Sequence, residues 1–86
     1  MLVTMKEILD RASTGNYAVI APNVFCEIDT RAAIAAAEKL NSPMIIDLSV
    51  GSTKDIVVTG RNLVDIAKQT AVPVAVNLDH GGGVHK

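Results

Sequence analysis

The chain has 86 residues, of which 49% are hydrophobic and only 2% aromatic, and its formal net charge is −1. That length suits one small domain, with a core built from small aliphatic side chains. With no basic run and no aromatic stacking platform, composition argues against nucleic-acid and membrane-surface binding.

Taken in chain order, Thr4-x-x-Glu7 is a capping-box pattern. Met5, Ile8, Leu9 and Ala12 then recur at helical spacing. The spacing predicts a helix over about 5–14, closed by Gly15 as the left-handed residue. YAVIAPNV, residues 17–24, reads as the first strand, with Pro22 near its end, where a lost ladder bond matters least. Asp29 and Thr30 read as N-caps for the alanine-rich helix RAAIAAAEKL. Asn41-Ser42-Pro43 stops that helix, and MIIDLS, 44–49, is the second strand. GSTKD, 51–55, is a loop. A helix follows over about 59–70, Pro73 punctuates, and VAVNLD, 74–79, is the third strand.

The single cysteine, Cys26, allows no internal disulfide and fits a reducing, cytoplasmic setting. The start MLVTMKEILD lacks the basic segment and long apolar stretch of a signal peptide. No apolar run approaches the ~20 residues that cross a bilayer.

Strands alternating with helices imply parallel pairing through right-handed crossovers. Alternate residues of a strand share a face. One face reads Val19-Ala21-Asn23, Ile45-Asp47-Ser49 and Ala75-Asn77-Asp79; the other reads Ala18-Ile20-Pro22, Met44-Ile46-Leu48 and Val74-Val76-Leu78. The second face is apolar throughout and suits packed helices. The first turns polar toward the strand ends, so Asn23, Ser49 and Asp79 are expected to converge, with Asp47 and Asn77 one layer below. A sheet buried by helices on both faces would be apolar on both. A parallel barrel lines its inner face with its own side chains and carries its site at the C-terminal strand ends. The expected fold is therefore α/β: a partial TIM (β/α)8 barrel made of an N-terminal helix, the first three parallel strands and two crossover helices. A whole barrel takes ~250 residues, and the third strand has no helix after it. Residues 1–86 thus read as the N-terminal part of a larger barrel, with open sheet edges that invite association.

Asp79 and His80 emerge together at a strand end, followed by three glycines that let backbone pass close to a ligand. A His there suits a metal and an Asp suits proton transfer; the plainer reading is a loop-capping Asp beside an exposed His. Catalytic zinc takes three protein ligands. His80 supplies one, His85 lies at the terminus, and no HxxxH or CxxC spacing occurs. LSVGST after the second strand offers backbone N–H groups of the kind that bind phosphate, but equally an ordinary turn. Asp47 inside a strand needs a partner.

Three segments carry a resemblance: MLVTMKEILDRASTGNYAVIAPNV, EKLNSPMIIDLS and, most specifically, VPVAVNLDHGGG. Together they resemble the N-terminal third of class II, zinc-dependent ketose-bisphosphate aldolases, which act on fructose or tagatose bisphosphate. The resemblance implies a TIM barrel and reversible cleavage of a ketose 1,6-bisphosphate to dihydroxyacetone phosphate and glyceraldehyde 3-phosphate. It implies His80 as a zinc (Zn2+) ligand, Asp79 as the residue that takes and returns the C4 hydroxyl proton, and Ser49 and Asn23 as substrate contacts. Zinc would act as a Lewis acid on the ketone. Full-length members would be cytoplasmic homo-oligomers without nucleic-acid or membrane partners. The sequence departs from the family pattern at Asn77, where many relatives carry His, and at PNVFCE and GGGVHK. The remaining zinc histidines and phosphate-binding glycine loops would lie outside these residues, so the 86-residue chain alone is expected to be inactive. Two other readings stand beside this one: a sugar-phosphate-binding barrel enzyme without zinc, and a non-catalytic βαβ binding or oligomerisation module.

Overall fold

The computed structural model describes residues 1–49 and 56–79. Its elements run α1 (Met5–Gly15), β1 (Asn23–Val24), α2 (Glu27–Lys39), β2 (Met44–Ser49), α3 (Ile56–Lys68) and β3 (Val74–Asp79). The strands form one parallel sheet in the order β1-β2-β3. This α/β arrangement is consistent with part of a (β/α)8 barrel.

The start of α1 follows its sequence signal. Thr4 Oγ1 accepts from the Glu7 N–H at 3.1 Å, and Glu7 Oε1 accepts from the Thr4 N–H at 3.4 Å. Its end is shifted by one residue. Asn16, not Gly15, takes the left-handed conformation, at φ 59° and ψ 48°; Asn tolerates this region because its short amide bonds locally. Gly15 is constrained instead by space. A Cβ there would lie 2.6 Å from Tyr17 Cε2 and 2.8 Å from Cδ2, so the ring rests where a side chain would stand.

The helix α2 starts four residues before the expected RAAIAAAEKL segment. Asp29 caps it from inside, its Oδ2 accepting from the Phe25 N–H at 2.8 Å and its Oδ1 from the Cys26 N–H at 3.0 Å. Thr30 is fully buried within the first turn, and its hydroxyl donates to the Cys26 carbonyl at 2.7 Å. A residue that caps by reaching backward looks, in sequence, like one that caps forward; hence the late start expected. The helix α3 likewise begins and ends earlier than the expected 59–70.

The largest departure is the first strand. Only Asn23–Val24 pairs as strand, against the expected 17–24. The preceding segment still runs beside β2, since the Ile45 N–H donates to the Ile20 carbonyl and the Asp47 N–H to the Pro22 carbonyl, both at 3.1 Å. Pro22 has no N–H to return to the ladder, and β1 lies at the sheet edge, where nothing compels regular pairing.

One face of the sheet carries the main core. Val24, Met44, Ile46, Leu48 and Val74 pack against Ile34 and Ala37 of α2 and Leu63, Ile66 and Ala67 of α3. Full burial of side chains such as Ile46, Leu48 and Leu63 contributes roughly 1.5–3 kcal/mol each. Among the described residues, the opposite face is covered only at its base, where Ile8 of α1 packs on Ile45 and Ala75, flanked by Val3, Met5 and Val19. Residues 1–3 run beside the start of β3: Val74 N–H donates to the Met1 carbonyl at 2.8 Å, and Val3 N–H to the Val74 carbonyl at 2.9 Å. Both flanks of the helix-covered face remain apolar and open. Ile20 is 63% exposed beside β1, and Leu78 is 46% exposed on β3. A groove of about 340 Å³ between α3 and β3 is lined by Leu48, Ile56, Val57, Val64, Val76 and Leu78. Among the described residues, no helix is long and apolar enough to cross a membrane.

Candidate functional site

Register turns the strand faces into rows. Ile45 pairs with Ala75, Asp47 with Asn77, and Ser49 with Asp79; on the other side of β2, Asn23 pairs with Asp47. Partnered residues of a parallel pair lie about 4.8 Å apart, and rows on one face are about 6.6 Å apart along the strands. Above the apolar base of Ile45 and Ala75, this face therefore carries the polar row Asn23–Asp47–Asn77, and the Ser49–Asp79 backbone pair lies one row further along the strands.

These rows correct one expectation. Asn23 is level with Asp47 and Asn77, not with Ser49 and Asp79. The short β1 enters the sheet late, and its register lowers Asn23 by one row. The side chain of Asn23 is exposed, whereas Asp47 and Asn77 are half-buried. Ser49 and Asp79 are paired through their backbones at the C-terminal ends of β2 and β3. His80, His85, the glycines 81–83 and the GSTKD loop lie outside the described residues.

The middle row is bonded across the sheet. Asn77 donates its side-chain amide to Asp47 Oδ1 at 2.8 Å. This is the partner that a carboxylate within a strand needs. It joins β3 to β2 directly beneath Ser49 and Asp79. Strand parity set the two residues in one layer, and register brings them opposite each other.

Asp29 shapes the same end of the sheet, and sequence reading missed how. Its bonds to the Phe25 and Cys26 N–H groups fix the turn that leaves β1 beside Asn23. Partial burial opposes the charge, but these hydrogen bonds outweigh it and hold the Asp29 carboxyl below the ordinary carboxylate range. A reach-back carboxylate three residues into a helix is the capping-box signal, and applied here it would have found this contact.

Among the described residues, no three His, Cys, Asp or Glu side chains gather to hold a metal ion. These residues do not by themselves fit a zinc site. Nor does the cavity of about 300 Å³ beside Ile8, Pro43 and Pro73 bear on the polar rows, since it lies at the N-terminal strand ends. What this face offers is a bonded carboxylate–amide pair one row below the Ser49–Asp79 backbone pair at the C-terminal strand ends.

Comparison with known proteins bears on what such a face does. The family model described as fructose-bisphosphate aldolase class-II matches residues 3–86. A fructose-bisphosphate aldolase of Thermus caldophilus is 45% identical over 85 residues, covering 94% of this chain and 27% of the relative. One from Geobacillus stearothermophilus is 40% identical over 91 residues, covering 99% and 31%. One from Mycoplasma pneumoniae is 39% identical over 87 residues, covering 94% and 30%. The chain thus spans under a third of the length of these curated relatives.

Proposed function

The chain belongs to the class-II fructose-bisphosphate aldolase family, and from that premise we propose that residues 1–86 form the N-terminal part of a (β/α)8 barrel that cleaves and condenses a ketose 1,6-bisphosphate. The products of cleavage are dihydroxyacetone phosphate and glyceraldehyde 3-phosphate. The observation that carries this reading is the Ser49–Asp79 backbone pair at the C-terminal ends of β2 and β3, one row beyond the Asp47–Asn77 bond. Barrel active sites stand at those ends.

In this reading Asp79 takes the C4 hydroxyl proton in cleavage. The C3–C4 bond breaks as that proton leaves, and its electron pair passes toward the ketone carbonyl. In condensation Asp79 returns the proton. Ser49, its strand neighbour, contacts substrate beside it. Asn23, one row lower and exposed, contacts substrate from the β1 side. His80 would supply one imidazole to a zinc ion, and that ion would contribute Lewis-acid polarisation of the ketone. Catalytic zinc takes three protein ligands, and the described residues do not complete the set. The 86-residue chain alone therefore lacks aldolase activity. The whole enzyme is a cytoplasmic homo-oligomer.

A chimera tests the reading. Residues 1–86 replace the matching segment of the Thermus caldophilus relative, and cleavage of fructose and tagatose 1,6-bisphosphate is followed with and without a zinc chelator. Zinc-dependent cleavage of either sugar supports the assignment. A folded, zinc-loaded chimera that cleaves neither contradicts it, and cleavage by the 86-residue chain alone contradicts the claim of inactivity.

A further inference from the structure

The Asp47–Asn77 bond is more than the reading above uses. Both residues stand on the uncovered face, half-buried, one row below Ser49 and Asp79. The apolar row beneath them is already packed by Ile8. A carboxylate and an amide set between that packed base and the strand ends are not there to fill the core. Val or Ile would do so better on a buried parallel strand.

The bond also acts where the sheet is least constrained. Toward its C-terminal end β3 loses its covering: Val74 and Ala75 are buried, Val76 and Asn77 half-buried, and Leu78 exposed. Residues 1–3 hold the outer edge of β3 only near Val74. Among the described residues, the link of β3 to β2 is what continues to the row of Asp79. The Asn77 side chain bonds to Asp47 across that link, one row below Asp79. A hydrogen bond to a charged acceptor is among the stronger and more directional contacts available there.

We propose that Asp47 and Asn77 are a positioning pair: their hydrogen bond clamps β3 to β2 and sets Asp79 opposite Ser49. The proposal rests on the reading above only in what it says Asp79 does once positioned. The clamp itself is a property of the two strands and operates without metal or substrate.

Hydrogen exchange on the 86-residue chain reads the clamp. The ladder alternation that directs the Met44 N–H to the Pro73 carbonyl directs the Ala75 and Asp79 N–H groups toward β2. The ratio of Asp79 to Ala75 amide protection is compared in the natural sequence, Asn77→Ala, Asp47→Asn and the exchanged pair Asp47→Asn with Asn77→Asp. A uniform loss of stability lowers both amides together and leaves the ratio unchanged. A lost clamp lowers Asp79 selectively, by about tenfold in Asn77→Ala. The exchanged pair, which restores a carboxylate–amide bond in the opposite sense, should bring the ratio back to within about threefold of the natural sequence. Asp47→Asn keeps the shape and a neutral hydrogen bond, so it gives an intermediate ratio even if Asn77→Ala fails to fold. An unchanged ratio in the single variants, or no recovery in the exchanged pair, overturns the proposal. The readout needs neither zinc nor sugar phosphate, so it can fail while the chimera cleaves substrate, and succeed while the chimera does not.

Discussion

Asn77 and Asp47, thirty residues apart, meet across β2 and β3 with 2.8 Å between amide nitrogen and carboxylate oxygen. Stability should register this contact as well as geometry does. Asn77→Ala leaves a half-buried carboxylate without its donor and should cost about 1–3 kcal/mol in urea denaturation. Asn77→Asp should cost at least as much at pH 7, because it sets two carboxylates side by side. That cost should shrink on acidification as one of them takes a proton. An Asn77→Asp chain as stable as the natural one at pH 7 contradicts the contact.

Asp29 gives the pH dependence of the β1–α2 turn. Its folded pKa lies below the unfolded value of about 3.9. The sign follows: the carboxylate adds stability above the unfolded value, and that stability is lost as pH falls through the lower folded value. Asp29→Asn should therefore cost about 0.5–1 kcal/mol at pH 7 and progressively less below about pH 4. Thermal denaturation at pH 7 and pH 3 checks this; an equal cost at both excludes the cap as its cause.

Gly15 and Tyr17 form a local opposition. Alanine in a helix is normally favoured over glycine by about 1 kcal/mol, but here the new methyl meets the tyrosine ring. Gly15→Ala should be neutral or mildly destabilising in the natural sequence. In a Tyr17→Ala background it should be stabilising by about 0.5–1 kcal/mol. A double-mutant cycle with no coupling removes the contact from the account.

Sequence was more nearly sufficient for the inner strands than for the details of these three sites. MIIDLS and VAVNLD are found as strands with the bounds expected, because a six-residue apolar-rich run directly after a proline has strand length and is too short for a helix. The face assignment followed from parity alone. The first strand was overdrawn, since YAVIAPNV has the same composition as a strand but its pairing depends on edge position and Pro22. Parity also set Asp47 and Asn77 in one layer, where they are found bonded, but the row of Asn23 depends on register, which is set by helix and loop geometry and leaves no mark on any local window. Asp29 was legible as a cap but not in its direction.

The open flanks give a fourth outcome. Exposed apolar residues at both sides of the helix-covered face, Ile20 and Leu78 among them, should make the 86-residue chain self-associate. Leu78→Glu should reduce light scattering while leaving the circular-dichroism spectrum intact. Leu48→Glu, in contrast, places a charge in the main core and should unfold the chain. Scattering unchanged by Leu78→Glu places the association elsewhere.

The measurement that bears most directly on the account is turnover by the chimera with Asp79→Ala, compared with Asn23→Ala in the same background. If Asp79 moves the C4 hydroxyl proton, its loss should lower kcat by about 10²–10⁴-fold while zinc content and folding are retained, and Asn23→Ala should raise KM more than it lowers kcat. A folded, zinc-loaded Asp79→Ala chimera that turns over at the parent rate contradicts the account at its centre.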